Sequence, residues 1–385
     1  MSQAPAHLPK YAVLDAARAG AALWVLAAHI TLIAGAPVWL VSQGSLAVDC
    51  FIFISGFLMM LLLRREDSIS RENVIDFYVR RYFRLAPAFY AAIILYGLGR
   101  GVYGDGLELA RVSFGAPPAV PALDGEITVW SVALNLIFMH GLSPVESVRI
   151  LTPAWSLSLE MQFYLVAPFF LWLLSRRPLA TVAVAFAINA MANHWWGFYE
   201  RQGTLAQYFF PSILPSRIFL FGFGAACCMA VVEHTSRRWM ISGLWCVGAS
   251  MLLGWRSFAV CTFLAVVVVT GILSTGSLGR MIRHLSSFRA VHALAEWSYS
   301  IYLFHMFALA MASHLLSGRL PPDCEKTQAY FHFAALSVLI TLALALVIHY
   351  LVERPGREWG RRISARLISH RREREPIAGV IVPRI

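Results

Sequence analysis

Long apolar stretches recur along this chain near 16–38, 45–63, 85–103, 155–174, 179–198, 214–233, 239–255, 257–274, 294–316 and 329–352. About 20 apolar residues span the hydrocarbon core of a bilayer as a helix. In lipid, only a helix or a closed barrel pairs every backbone N–H and C=O. The expected fold is therefore an all-α polytopic membrane protein, one bundle of about ten transmembrane helices. At 58% hydrophobic and 14% charged residues, the chain is far poorer in charge than the roughly 25% of soluble domains, which excludes a soluble globular, disordered, collagen-like or coiled-coil class.

Charge orients the bundle. The net charge of +11 is almost wholly arginine, because Lys10 and Lys326 are the only lysines. These arginines sit between apolar stretches, so topology and lipid headgroup contact explain them, and nucleic acid is not expected as a partner. An eleventh apolar segment, 128–142, is shorter and carries Asn135 and His140. With ten crossings, the clusters Arg64/Arg65, Arg80/Arg81/Arg84, Arg176/Arg177, Arg237/Arg238, Arg280/Arg283/Arg289 and the basic tail all lie on the side of the N-terminus; with eleven they scatter. The positive-inside rule then makes both termini cytoplasmic and 128–142 an interfacial or re-entrant helix on the outer side. Residues 1–355 form the membrane domain and 356–385 a basic cytoplasmic tail, in which Arg357, Arg361 and Arg362 follow Arg354 at near-helical spacing, as in a helix resting on anionic lipid. Lys10, Arg18 and Ala34-Gly35-Ala36 imitate a signal peptide, but the apolar run continues through Val38 to Val41 and favours a retained span. The six cysteines show no C-x-x-C spacing, so neither a disulfide framework nor a metal site is expected.

An ionisable side chain inside a span costs several kcal/mol unless it faces a cavity or a partner, so each is a site candidate. Arg18 and His29 are eleven residues apart, about three helical turns, hence on one face and roughly 16 Å apart along the axis. Asp49 lies a few residues inside the outer boundary of the second span, and His29 is its expected partner across the first hairpin. Arg81 and Arg84 share a face on the cytoplasmic side, suiting a phosphate-bearing ligand as well as a topology signal. Ser156, Glu160 and Tyr164, spaced by four, form a polar stripe beside Trp155; Ser298, Tyr302 and His305 form another. Arg217 reads as an interfacial anchor or a contact for an acidic acceptor. The bland reading of His305 is a satisfied core histidine, and a buried Glu160 can also simply lock helices together.

Two sets emerge: cations at the cytoplasmic mouth (Arg18, Arg81, Arg84), and His29, Asp49 and Glu160 from mid-bilayer outward. A histidine beside a carboxylate takes a proton from a hydroxyl at neutral pH. A donor with phosphates docked inside and a reactive end at His29 needs a thin arm on the order of 15 Å, and coenzyme A has one.

The chain resembles the integral-membrane acyltransferase-3 family, which O-acylates cell-surface sugars. The match runs from about 11 to 355. It is carried by Leu14-Asp15-x-x-Arg18-x-Gly20, Arg18 with His29, Val48-Asp49-x-Phe51-x-x-x-Ser55-Gly56-Phe57 and Phe77-Tyr78-x-Arg80-Arg81-x-x-Arg84-x-x-Pro87. Later come Trp155-Ser156-Leu157-Ser158-x-Glu160-x-Gln162-Phe163-Tyr164, Ser298-Tyr299-Ser300-x-Tyr302-Leu303-x-His305 and Glu353-x-Pro355. Departures are small: Ala16-Ala17 after the Asp, Met161, and Cys50 beside Asp49.

The resemblance implies acetyl-CoA, or another acyl-CoA, as cytoplasmic cosubstrate, with no permanently bound cofactor. It implies an outer-face glycan or glycolipid acceptor such as lipopolysaccharide O-antigen, exopolysaccharide or lipo-oligosaccharide. It makes His29 the essential residue, with Arg81 and Arg84 serving the donor and Glu160 supporting catalysis. The expected location is the cell inner (cytoplasmic) membrane, with lipids as partners and a homo-oligomer left open. Some relatives carry an extra extracytoplasmic domain, and the expectation here is a stand-alone enzyme. Direct transfer and an acyl-histidine intermediate both stand, with Ser156, Tyr164 or Tyr302 available to an oxyanion. The rival function is a proton-coupled transporter of glycan precursors using His29, Asp49 and Glu160 as a relay. A lipid-glycan scaffold is a third.

Overall fold

A computed structural model describes residues 11–63, 71–114, 125–195, 208, 210–317, 319 and 325–374. The helices are α1 (Ala12–Ile33), α2 (Gly44–Leu63), α3 (Arg71–Leu98), α4 (Arg100–Phe114), α5 (Val129–Leu136), α6 (Trp155–Arg176) and α7 (Pro178–Ala190). They continue as α8 (Ile218–Glu233), α9 (Ser236–Leu252), α10 (Trp255–Leu273), α11 (Ser277–Ser286), α12 (Arg289–Leu316), α13 (Lys326–Ile348) and α14 (Arg354–Arg374). No strand forms among the described residues. Lys10, Arg64, Arg65, Cys324 and the tail beyond Arg374 lie outside them.

Each of the ten apolar runs forms helix, yet the number of helices fit to cross a membrane is smaller. Among the described residues six are long and apolar enough, and a seventh is gained if α3 and α4, bent by 75°, count as one broken span. The shortfall has local causes. Pro215 opens a 3-10 turn, Leu214–Ser216, that takes the start of its run away from α8, leaving 16 residues or roughly 24 Å. The run of α7 passes after 13 residues into a π turn, and α9 stops at 17 residues before Gly254. All three fall below the ~30 Å of a hydrocarbon core. With eight residues, about 12 Å, α5 cannot cross either, in keeping with its reading as a non-spanning helix.

Glycines set the closest packing. A Cβ on Gly56 of α2 would stand 2.0 Å from the Phe221 carbonyl oxygen of α8, and one on Gly224 of α8 would stand 1.9 Å from the Phe53 oxygen of α2. The two backbones therefore touch through reciprocal glycines, as small residues allow between membrane helices. Helix α12 is central, packing on α1, α4 and α13. The segment after α5 turns through Phe138, at φ 59°, into a 3-10 turn at His140–Leu142. Its backbone is satisfied by protein: the Gly141 N–H donates to Ser158 Oγ (3.0 Å), which itself donates to the Phe138 carbonyl (2.7 Å). Ser212 Oγ donates to the Gly141 carbonyl, and Tyr208 to that of Leu142. Gln162 ties in the next loop by donating to the Ser212 carbonyl and accepting from the Leu214 N–H. Irregular backbone is tolerated at such depth only when buried in this way.

The basic helix α14 also packs on the bundle. Gly356 and Gly360 put α14 against Pro87 and Phe83 of α3, where added Cβ atoms would come within 2.4 and 2.5 Å of side-chain carbons. Ser364 donates to Asp76 of α3. The buried Glu353 accepts from Ser300 of α12 (2.9 Å) and from His349 (3.2 Å), joining α12 to the α13–α14 junction.

Candidate active site

A cavity of about 980 Å³ opens among α1, α2, α3, α6 and α12. Its wall includes Arg18, Arg81, Arg84, Ser156, Glu160, Tyr164 and Tyr302, so the structure brings most of the expected site residues together. Arg18 Nη2 reaches Ser298 Oγ at 3.4 Å, and the Arg81 guanidinium lies over the rings of Phe77 (6.0 Å) and Tyr164 (5.9 Å). Glu160 accepts from Ser55 Oγ at 3.0 Å and from Tyr164. Sequence gives no sign that Ser55 serves Glu160, because the two are 105 residues apart in the chain.

The upper wall ends on hydroxyls and rings. A carbonyl only accepts, so Tyr302 donates to the Pro153 carbonyl (2.7 Å), and Ser156 Oγ donates to Tyr302 (2.7 Å). The Phe51 ring meets Tyr302 edge-on at 5.9 Å, and His305 follows at 6.1 Å from Tyr302. His305 Nε2 then stands 3.3 Å from His29 Nδ1, with ring centroids 4.9 Å apart. His29 is not part of the cavity wall; contacts from Tyr302 to His305 to His29 connect it to that wall.

Backbone carbonyls decide the tautomers. His305 Nδ1 faces the Tyr302 carbonyl at 2.8 Å, and His29 Nδ1 faces that of Val25 at 2.9 Å. Each Nδ1 must therefore carry a hydrogen in the neutral ring, so His305 Nε2 accepts and His29 Nε2 keeps its lone pair. His29 is half-buried, not sealed. This is the state a general base needs.

Asp49 goes elsewhere than expected. It forms a buried ion pair with Arg217, Nε to Oδ1 at 3.0 Å, in place of a contact with His29. The cause is register. Asp49, Phe53 and Gly56 lie at i, i+4 and i+7, the face of α2 that packs on α8, whereas His29 meets α2 about one and a half turns earlier, at Gly44. Arg217 also donates to the Ser216 carbonyl (3.1 Å), so it is engaged inside the protein. Trp155 stacks on Phe210 at 5.1 Å and is buried, away from the cavity wall.

Fold and site define an all-helical membrane protein with a cationic cavity leading to a histidine pair. The acyltransferase domain family, acyltransferase-3, matches residues 11–350, and the chain belongs to it. Among its relatives, YrhL of Bacillus subtilis (strain 168), provisionally named as a peptidoglycan O-acetyltransferase, is 24% identical over 380 residues, covering 93% of this chain and 57% of that protein. The peptidoglycan O-acetyltransferase OatA of Listeria monocytogenes is 24% identical over 383 residues, covering 90% of this chain and 56% of its own length. The acyltransferase MdmB of Streptomyces mycarofaciens is 24% identical, with 91% and 92% covered. The chain thus spans a little over half the length of the first two. No solved structure matches it.

Proposed function

We propose that the chain is a multi-pass O-acyltransferase of the inner (cytoplasmic) membrane, moving an acetyl group from cytoplasmic acetyl-CoA to a hydroxyl of an outer-face glycan or glycolipid. Both termini on the cytoplasmic side belong to this reading, because that orientation places the arginine clusters on the donor side. The observation that carries it is the cavity with Arg18, Arg81 and Arg84 in its wall, leading through Tyr302 and His305 to a histidine with a free Nε2. The family and the O-acetyltransferase names of the relatives support it.

The arginines hold the donor's phosphates by charge-assisted hydrogen bonds. The thioester arm passes the Phe51–Tyr302 contact. His29 Nε2 takes the proton of the acceptor hydroxyl, whose oxygen attacks the thioester carbonyl carbon. The C–S bond breaks, and the departing thiolate takes the proton back from His29. Glu160, held by Ser55 and Tyr164, positions the arginine-lined wall. Asp49 and Arg217 hold α2 to α8, a structural part in place of the catalytic and acceptor roles suggested by sequence.

The test is thiol release from acetyl-CoA by purified wild type and His29→Gln with a surface-glycan extract, followed by mass spectrometry of the extract. Release, and the mass gain of one acetyl group, are expected with wild type alone. Movement of labelled glycan across vesicles without thiol release would favour the transporter instead.

A further inference from the structure

The cavity has more cation than the inner arginines supply. Arg283 and His284 of α11 and Arg361 of α14 line it as well. Five arginines therefore face two carboxylates, Asp15 and Glu160, in its wall. Asp15 also lies 3.6 Å from His292 Nδ1. From sequence, both outer arginines read as topology signals or lipid contacts.

The placement of the outer pair is built. Arg361 follows Gly360, whose contact with Phe83 fixes α14 on α3, the helix that carries Arg81 and Arg84. Arg283 Nη1 donates to the carbonyls of Gly271 and Ser274 at the end of α10, both at 2.8 Å. A guanidinium has five N–H groups, so this anchoring leaves donors for a ligand. The Arg361 side chain is 57% exposed and loosely paired with Glu358 at 3.9 Å, marking the solvent end of the cavity.

We propose that Arg361 and Arg283 form a second anion subsite, at the cavity mouth, for the ribose 3′-phosphate of the acyl-CoA, while Arg18, Arg81 and Arg84 take its diphosphate. This rests on the acyl-CoA reading above. The order follows from the ligand: the acyl end lies by Tyr302, the diphosphate sits midway along the molecule, and the 3′-phosphate is farthest from the thioester. Arg283 and Arg361, on α11 and α14, add to the arginines of α1 and α3 in the same cavity, and the forked guanidinium suits phosphate oxygens.

The experiment compares acetyl-CoA with acetyl-3′-dephospho-CoA on wild type, Arg361→Gln and Arg283→Gln, in nanodiscs of phosphatidylcholine alone and with added phosphatidylglycerol. Wild type is expected to show a KM about a hundredfold higher for the dephospho donor, the size of two lost charge-assisted contacts. Each variant, losing one of them, should raise KM for acetyl-CoA by about tenfold, leave KM for the dephospho donor within about twofold, and keep kcat, in both lipids. Equal rises on both donors, no rise, or no discrimination by wild type would overturn the subsite. An effect seen only with phosphatidylglycerol would assign these arginines to lipid headgroups and overturn it too. Thiol release from neither donor would instead overturn the acyl-CoA reading, and the subsite with it.

Discussion

Severing the Asp49–Arg217 pair separates a structural role from a catalytic one. At 3.0 Å, with side chains 3% and 7% exposed, unit charges attract by roughly 5 kcal/mol at an effective dielectric of about 20. Much of that offsets desolvation, so the pair adds little over an apolar contact; removing one member, however, strands the other charge and costs about 3–5 kcal/mol. Arg217→Met or Asp49→Leu alone should therefore shift the folding equilibrium by more than about a hundredfold. The combined variant leaves no buried charge and should recover to near wild type. Thermal stability by fluorescence-detected size exclusion in detergent, read beside thiol release from acetyl-CoA, measures both. A combined variant that is folded and active places Asp49 outside the chemistry. If it folds like wild type but releases no thiol, the structural reasoning is refuted and Asp49 returns to the role first read from sequence; single variants as stable as wild type would refute the energetics.

Four further outcomes are expected. His305→Phe keeps a ring beside His29 but removes the Nε2 acceptor 3.3 Å from His29 Nδ1; kcat should fall by about tenfold with donor KM unchanged, because ring orientation contributes to the transition state more than to donor binding. Gly360→Val puts a side chain where Phe83 Cβ is 2.5 Å away, an overpacking cost of about 1–3 kcal/mol, so α14 should become protease-sensitive and donor KM should rise with kcat held. Gly56→Leu must move the α8 backbone from 2.0 Å and should sharply lower thermal stability, whereas Gly243→Ala meets nothing within 4 Å and should gain up to about 1 kcal/mol of helix propensity.

Hydropathy made the helices legible, because lipid leaves the backbone no alternative. It did not make the span count legible, since Pro215 and the turn at Met191–Trp195 shorten helices without altering the apolar run. Periodicity gave the polar stripe Ser156, Glu160 and Tyr164, all three of which line the cavity. The opposite pair, Ser158 and Gln162, holds two loops without any such signal in the sequence. Nothing in its own helix reveals that, because its partners lie 17 to 52 residues away. Nearness in the chain points Asp49 at His29, yet the spacing to Gly56 points its face at a closely packed neighbour. The same signal, Gly356 and Gly360 four apart, was present in the supposed tail.

One face of α12 shows why the site holds together. Ser298, Tyr302 and His305 stand at i, i+4 and i+7, and each meets a different expected site residue: Arg18 at 3.4 Å, Ser156 at 2.7 Å and His29 at 3.3 Å. Arg18 and His29 belong to α1 and Ser156 to α6, so α12 sets how the arginine-lined cavity is spaced from the histidine. That spacing is not carried by α1 alone, although α1 bears both ends of it. A shift of α12 by one helical turn, about 5.4 Å, would leave the helices packed and the cavity cationic. It would also move His305 from His29 and Tyr302 from Ser156 together. The fold therefore couples the arginine-lined cavity to His29 through one rigid element, and under the proposed function substitutions on this α12 face should alter kcat before they alter KM for acetyl-CoA.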